Sequence, residues 1–560
     1  MDKFDRTNEI YLEWLNNEYL DENDRNELKK FSDEELLSAF ASELEFGTAG
    51  IRGIMGVGPS KFNQYTIKKV TMAYARLLLK KYPNDILRGV VIGHDNRYNS
   101  KEFAKLAAEV LTSFGIKAYL FKDNAMKPTP VVSFATKFLN CIGGVVITAS
   151  HNPAQYNGYK IYDEFGCQLL TNDTDKIAKN MQSISDIISW TYKPIDDLLT
   201  FVPTEVIKAY TRMIEDLQFY ADENKTNFKI IYSNIHGTGI EFVPKILQNN
   251  GFEVITVKEH LDEDPSFKDV DNPNPEFESA WKIPFQYAKT YDADLIILTD
   301  PDADRLAIAI KHNDEYIRLT GNETGTLLID WKLSKQKEFN KLPQNPALYS
   351  SFVTSDLGDR IAKEKFDATI VKTLTGFKWM GAEIAKEKER NLNFVFAYEE
   401  SIGYVLDDST RDKDGIQAAI VAAEMTWYYL KNENKNLIQK LDNIYAEFDY
   451  YYTDTINLNF APEEIKSKVE PIMKKLRTRN IDQIAKHNVI NVEDYADGLY
   501  NMPGQNLLKF YLDNKSWFAI RPSGTEPKIK IYFVIVENSI KNAKELFKKI
   551  KSELMNLINI

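Results

Sequence analysis

The spacing of apolar residues changes repeatedly along the chain, and each change marks a new element. Short β-branched runs at 90–92, 145–148 and 294–299 are bounded by turn residues and read as buried strands. Between them lie stretches of helical spacing, at 65–81 and 100–114, the second closed by Gly115 as a C-cap residue. Near the N-terminus, Leu12, Leu15 and Tyr19 follow helical spacing, and Ser32-Asp33-Glu34-Glu35 has capping-box character before Leu36-Leu37. Residues 1–44 therefore read as a helical extension packed on the first domain.

The alternation of strand and helix recurs. Residues 45–202 hold strands at 89–95, 116–121 and 145–148, which argues for a largely parallel, layered α/β domain. Residues 203–320 repeat the order with strands at 228–233, 253–257 and 294–299, and residues 321–445 with strands at 347–352, 368–373 and 394–396. Three units of similar size suggest an internal duplication, although no sequence repeat is evident. Residues 446–560 differ: several β segments (451–459, 507–511, 517–520, 529–536) precede one long terminal helix, which reads as an α+β domain.

Composition then narrows the function. The 560 residues are too many for a single core, and a prior of roughly 150 residues per domain gives about three to four. A net charge of −12 excludes the basic footprint of a general nucleic-acid binder, yet leaves room for a small anion held by local loops. Cys141 and Cys167 form neither a metal motif nor a disulfide framework, so a reducing, cytoplasmic setting is the simplest assignment. The start is polar where a signal peptide would be basic and then apolar, and no apolar run approaches the ~20 residues that span a membrane.

Six loops carry candidate chemistry. In GGVVITASHNPAQYNGYKIY (143–162), a strand breaks at Ala149-Ser150-His151-Asn152-Pro153, and a second turn at Tyr156-Asn157-Gly158 precedes Lys160. A hydroxyl at a strand's carboxyl end, with a lysine brought back towards it, is where open α/β sheets place their sites. Ser150 as a plain local cap fits equally well. In Asp300-Pro301-Asp302-Ala303-Asp304-Arg305, three carboxylates at alternate positions would repel one another by up to a few kcal/mol per close pair. A divalent cation removes that cost, and oxygen-only ligands favour Mg²⁺ over zinc. An EF-hand is excluded, because its glycine and glutamate positions are Arg305 and Lys311; a solvated acidic turn is the bland alternative. Arg521-Pro522-Ser523-Gly524-Thr525-Glu526-Pro527-Lys528 offers a phosphate cradle or a simple turn between strands. Tyr398-Glu399-Glu400-Ser401-Ile402-Gly403-Tyr404 and Thr375-Gly376-Phe377-Lys378 are further polar loops, and Glu45 to Gly53 is a glycine-rich turn carrying Arg52.

Taken together and in their order along the chain, the loops resemble those of the α-D-phosphohexomutase family, which includes phosphoglucomutases and phosphomannomutases. TASHNPAQYNGYK is similar to the family's phosphoserine loop, DPDADR to its metal loop, EESIGY to its sugar loop and RPSGTEPK to its phosphate loop. The resemblance runs from about residue 45 to the end. Tyr398-Glu399-Glu400 with Arg411-Asp412-Lys413-Asp414-Gly415 further resembles the phosphoglucomutase-2/phosphopentomutase-like branch, although many relatives have glycine at the position of Tyr398.

The resemblance implies three similar mixed α/β domains in tandem plus a C-terminal α+β domain, arranged round a central active-site cleft; because water would discharge a phosphoserine, the last domain is expected to close over the sugar. It implies a cytoplasmic isomerase of carbohydrate metabolism that interconverts hexose 1-phosphate and 6-phosphate, glucose first, through a phosphoserine. It further implies Mg²⁺ as cofactor, glucose 1,6-bisphosphate as activator and intermediate, small-molecule sugar phosphates as partners with neither nucleic acid nor membrane, and a monomer or weak homodimer. Ser150 would carry the phosphoryl group, and Asp300, Asp302 and Asp304 would hold Mg²⁺ with a Ser150 phosphate oxygen. Lys160, with a lowered pKa, would be the general acid/base and His151 its assistant, while Arg52 and Arg305 would stabilise the transferring charge. Thr375, Gly376, Lys378, Glu399, Ser401, Arg521, Ser523, Gly524, Thr525 and Lys528 would bind substrate. Rival activities are phosphomannomutase, phosphopentomutase and glucose 1,6-bisphosphate synthase, or a non-catalytic sugar-phosphate sensor; no G-x-S-x-G elbow supports a serine hydrolase.

Overall fold

A computed structural model describes residues 3–47, 50–460, 464–523 and 528–558. Four sheets follow one another along the chain, each with its own helices. The first has six strands in the order Ile51–Ile54, Tyr156–Tyr162, Gly143–Ile147, Val90–His94, Ala118–Leu120, Leu199–Phe201. Its centre is parallel, and Val90, Val91, Ile92, Val145, Val146 and Ile147 are fully buried. A strand covered on both faces needs a continuous apolar run rather than an alternation, which is why these segments stand out in the sequence.

Two features of this sheet correct the sequence reading. Residues 156–158 form no turn; they open the strand Tyr156–Tyr162, which runs antiparallel to Gly143–Ile147 and sets Lys160 opposite Val146. Arg52 lies on a strand, not in a glycine turn, paired in register with Gly158. A Cβ on Gly158 would lie 2.5 Å from the Thr148 carbonyl oxygen, so only glycine lets the strand lie this close to the serine loop.

The second sheet has five strands, Glu315–Arg318, Leu306–His312, Leu295–Thr299, Lys229–Ser233 and Glu253–Thr256, the first two absent from the sequence reading. The third has four, Thr369–Thr373, Pro346–Ser351, Asn393–Glu399 and Gly403–Val405. The fourth is antiparallel throughout, built on the long ladder between Tyr450–Asn459 and Lys528–Glu537. The terminal helix Ile540–Ile558 buries Leu546, Phe547, Ile550 and Leu554 in that sheet's core. By packing, the chain forms two compact units: Met1–Leu319 with Phe377–Phe396 and Ile402–Trp427, and Thr320–Gly376 with Ala397–Ser401 and Tyr428–Ile560.

The N-terminal helices Glu9–Asn16, Glu22–Lys30 and Asp33–Phe40 join the core of the first sheet, and Ser32 and Glu35 close a reciprocal capping box. The inward face of the first helix is Tyr11 and Trp14, however. Leu12 is exposed and Leu15 half-buried, because Tyr11 and Trp14, one position away, fill the core; Tyr19, beyond the helix, is exposed while Leu20 is buried. Among the described residues, no helix is long and apolar enough to cross a membrane.

Candidate active site

The strand Gly143–Ile147 delivers a loop in which Ser150 is 2 % exposed and adopts the left-handed region at φ 51°. A non-glycine residue there costs on the order of 1–3 kcal/mol, and its neighbours must hold it. Thr148 Oγ1 accepts from the Ser150 backbone N–H at 2.7 Å. The Ser150 hydroxyl donates to Asp300 Oδ2 at 2.8 Å and lies 3.1 Å from His151 Nδ1. Arg52 donates to Asn152 Oδ1 at 3.0 Å, so two sequence candidates meet on the serine loop.

Asp300 follows the strand Leu295–Thr299 on the neighbouring sheet of the same compact unit, and the acidic loop turns through Ala303 at φ 53°. The turn is clamped from outside. Thr238 donates its N–H (2.8 Å) and its hydroxyl (3.0 Å) to the Pro301 carbonyl, and the Arg305 N–H donates to Asp300 Oδ1 at 3.0 Å. A Cβ on Gly237 would lie 2.3 Å from Pro301 Cα, so Gly237→Ala is expected to push the acidic loop aside. Overpacking of this kind costs about 1–3 kcal/mol; a thermal melt reads the loss, and a metal titration should show weaker binding.

Asp300, Asp302 and Asp304 are all buried, with ligand oxygens within 4.8 Å of one another. Lys160 donates to Asp302 Oδ2 at 2.7 Å and Asp304 Oδ2 at 3.1 Å; Lys413 pairs with Asp304 Oδ2 at 3.2 Å and Asp412 Oδ1 at 3.1 Å. Thr129 gives its hydroxyl to Asp302 Oδ2 at 2.9 Å. Among the described residues, no hydrogen bond reaches Asp302 Oδ1 or Asp304 Oδ1, both buried; Arg305 Nε faces the latter at 3.7 Å. Leaving such an acceptor unmet costs about 1–3 kcal/mol, more when it is charged. A hard cation bound by oxygen answers both, and the donor set fits Mg²⁺.

The protonation pattern points the same way. Burial, then the charges of Asp302 and Asp304, push Asp300 well above the usual carboxylate value. Burial and Asp304 would raise Asp302 too, but Lys160 holds it below its usual value; Asp304, buried as well, is held far lower by Lys160 and Lys413. Lys160 corrects the sequence expectation: burial lowers it, yet Asp302 and Asp304 more than offset that, and its pKa is raised. The lysine is an ammonium at neutral pH.

The second compact unit gathers a separate group of candidates. Gly376 N–H donates to Glu399 Oε1 at 2.7 Å, Arg521 donates to Thr375 Oγ1, and Gln505 Nε2 reaches the same hydroxyl at 3.3 Å. Glu400, next to Glu399, accepts from Thr354 at 3.1 Å and Ser351 at 3.3 Å; burial first, then Glu399, raises its pKa. Ser523 and Lys528 close the base of their loop through a 2.8 Å backbone bond, while Gly524 and Thr525 lie outside the described residues. Ser401 follows Glu400 in the turn after the strand Asn393–Glu399. Lys378 belongs to the first unit, where burial pulls its pKa down to about 8, partly opposed by Asp175.

Residues that sequence reasoning passed over include Arg97, Thr129 and Lys413. The signal for Lys413 was its place in the Arg411–Gly415 run; Arg97 stood two residues after Asp95 at a strand exit, and Thr129 carried no signal of its own.

Four family models match in order: phosphoglucomutase/phosphomannomutase alpha/beta/alpha domain I at residues 43–187, domain II at 208–313, domain III at 320–448 and the C-terminal domain at 464–540. A phosphomannomutase of Mycoplasmoides pirum is 33 % identical over 557 residues, covering 99 % of this chain and 100 % of that protein. A phosphoglucomutase of Staphylococcus haemolyticus is 34 % identical over 537 residues, covering 93 % and 94 %. Among solved structures, the open form of parafusin, a phosphoglucomutase from Paramecium, superposes with a TM-score of 0.69 at 18 % identity, covering 92 % of this chain and 95 % of that one. A phosphoglucomutase/phosphomannomutase family protein from Burkholderia thailandensis gives 0.66 at 18 %, covering 92 % and 98 %; these two likenesses concern the fold.

Proposed function

Because the chain belongs to the phosphoglucomutase/phosphomannomutase family, a family of phosphotransferase isomerases, we propose that it interconverts hexose 1-phosphate and hexose 6-phosphate with Ser150 as the phosphoryl carrier. The observation that carries this reading is the Ser150 hydroxyl 2.8 Å from Asp300, beside two buried carboxylate oxygens that accept no hydrogen bond from the described residues. Asp300, Asp302 and Asp304 would hold Mg²⁺, which when bound supplies positive charge to the phosphoryl oxygens.

The chain's own groups supply the remainder. Phospho-Ser150 passes its phosphoryl group to the free hydroxyl of a sugar phosphate, giving a bisphosphate; the bisphosphate turns round and returns its other phosphoryl group to Ser150. Each transfer takes a proton from the attacking oxygen and gives one to the departing oxygen. Lys160, held protonated by two carboxylates, gives its proton to the departing oxygen and, as the neutral amine so formed, takes one back from the attacking oxygen; His151 Nδ1 lies 3.1 Å from the serine oxygen as a proton partner. Arg52, Arg305 and Lys413 add cationic charge around the serine and acidic loops. Glu399 and Ser401 are assigned to sugar hydroxyls. Thr375, Gly376, Lys378, Arg521, Ser523, Gly524, Thr525 and Lys528 are assigned to phosphate.

Glucose is the proposed hexose, with glucose 1,6-bisphosphate as intermediate. A coupled assay across glucose, mannose, glucosamine, ribose and deoxyribose 1-phosphates, with trace bisphosphate, tests it. Catalytic turnover fastest on glucose 1-phosphate is expected. Fastest turnover of mannose or ribose 1-phosphate would reassign the sugar, stoichiometric bisphosphate release would indicate a synthase, and binding without turnover a sensor.

Lys378 predicts a pH effect. With its pKa lowered to about 8, its charge is present below that pH and lost above it. The KM for sugar phosphate is expected to rise as pH passes 8, and Lys378→Met should flatten that rise; an unchanged profile in the variant would remove Lys378 from the phosphate-binding set.

A further inference from the structure

The serine loop is held by a cation that touches no reacting group. Arg97 lies just past the strand Val90–His94, and its side chain is fully buried. Its guanidinium collects four carbonyls of one loop: Nη2 donates to Ser150 O (2.6 Å) and Asn152 O (2.5 Å), and Nη1 to Pro153 O (2.9 Å) and Tyr156 O (3.0 Å). Asp95, equally buried, faces its Nε at 3.2 Å and accepts from the Arg97 N–H at 3.0 Å and the Ser100 hydroxyl at 2.8 Å. The Phe267 ring covers the guanidinium at 5.1 Å from its centroid, and Asn96, on Arg97's own loop, donates to Asp264 O at 3.2 Å. One planar fork thus joins the serine loop to the loop carrying Phe267.

We propose that Arg97 is the positioning residue that holds Ser150 in its left-handed conformation with Oγ aimed at Asp300. A lysine could keep the charge opposite Asp95, but one ammonium cannot span four carbonyls spread over residues 150–156. Ser150 is the first residue of that set, so losing the clamp frees the peptide unit that orients its side chain. Misplacing a reacting atom by about 1 Å costs on the order of a hundredfold in rate.

This inference rests on Ser150 being the phosphoryl carrier. The test uses the full-length enzyme with Mg²⁺, glucose 1,6-bisphosphate and glucose 1-phosphate, well below the melting temperature of each variant, with phosphoserine followed by mass spectrometry. For Arg97→Lys, kcat per folded molecule is expected to fall about a hundredfold while KM stays within about threefold. For Arg97→Ala, added guanidinium ion should restore part of the lost kcat. A purely structural role would lower the melting temperature and leave kcat of the folded fraction unchanged. A folded Arg97→Lys with kcat within about threefold of the parent therefore overturns the proposal. Should neither Arg97 variant fold, Phe267→Leu uncovers the guanidinium while keeping its donors. A kcat loss of about tenfold is then expected, and an unchanged kcat overturns the proposal. A parent enzyme that never carries phosphate on Ser150 would refute the carrier reading itself; a phosphorylated parent with an unaffected Arg97→Lys refutes only the positioning role.

Discussion

Ser150→Ala is expected to lower mutase turnover by at least about 10⁴-fold, because it removes the oxygen that carries the phosphoryl group. His151 Nδ1 lies against that oxygen, but the imidazole is set to exchange a proton with it, not to stand where it stands. The substitution removes one hydroxyl that donates to Asp300 Oδ2, so the expected stability change is small, about 1 kcal/mol, and circular dichroism should be unaltered. A steady-state assay with added glucose 1,6-bisphosphate checks it. Turnover within tenfold of the parent would remove Ser150 from the chemistry.

Asp302→Asn is the second large effect. Asp302 takes Lys160 at 2.7 Å and Thr129 at 2.9 Å on one oxygen, while its other oxygen is buried without a donor. An amide would place either a carbonyl or an NH₂ at that position, and an NH₂ turned towards the ion site repels a cation. The substitution also removes one of the two carboxylates that hold Lys160 protonated. We expect kcat to fall about 10²–10³-fold and the Mg²⁺ concentration for half-maximal activity to rise. Metal binding can be read without turnover: Mg²⁺ should raise the melting temperature of the parent by mass action and raise that of the variant less at the same concentration. Chelation of the parent should abolish activity, restored by Mg²⁺. Equal metal titrations for parent and variant would contradict the ion site.

The strands that carry the site were legible because they are buried on both faces, and the run at 145–147 has no competing reading. The same runs located Ser150 and Asp300 at strand ends. Whether Lys160 returns to the acidic loop was not legible from spacing: the turn residues Tyr156-Asn157-Gly158 proved to be the start of a strand, because antiparallel pairing with the central strand outweighs their turn preference. The charge state of Lys160 was misread for a related cause. Burial lowers a lysine, and only the three-dimensional meeting with Asp302 and Asp304 reverses that. Arg97 and Lys413 were hidden because each serves residues more than 50 positions away, Ser150 and Asp304 respectively, and no local pattern encodes such a pairing.

The most direct test of the carrier reading follows a labelled phosphoryl group. Enzyme mixed with ³²P-labelled glucose 1,6-bisphosphate, quenched on the millisecond scale and digested, is expected to show label on the peptide containing Ser150. A chase of unlabelled glucose 1-phosphate should remove that label at least as fast as kcat. Turnover without label on Ser150, or label that stays through many turnovers, would contradict the account.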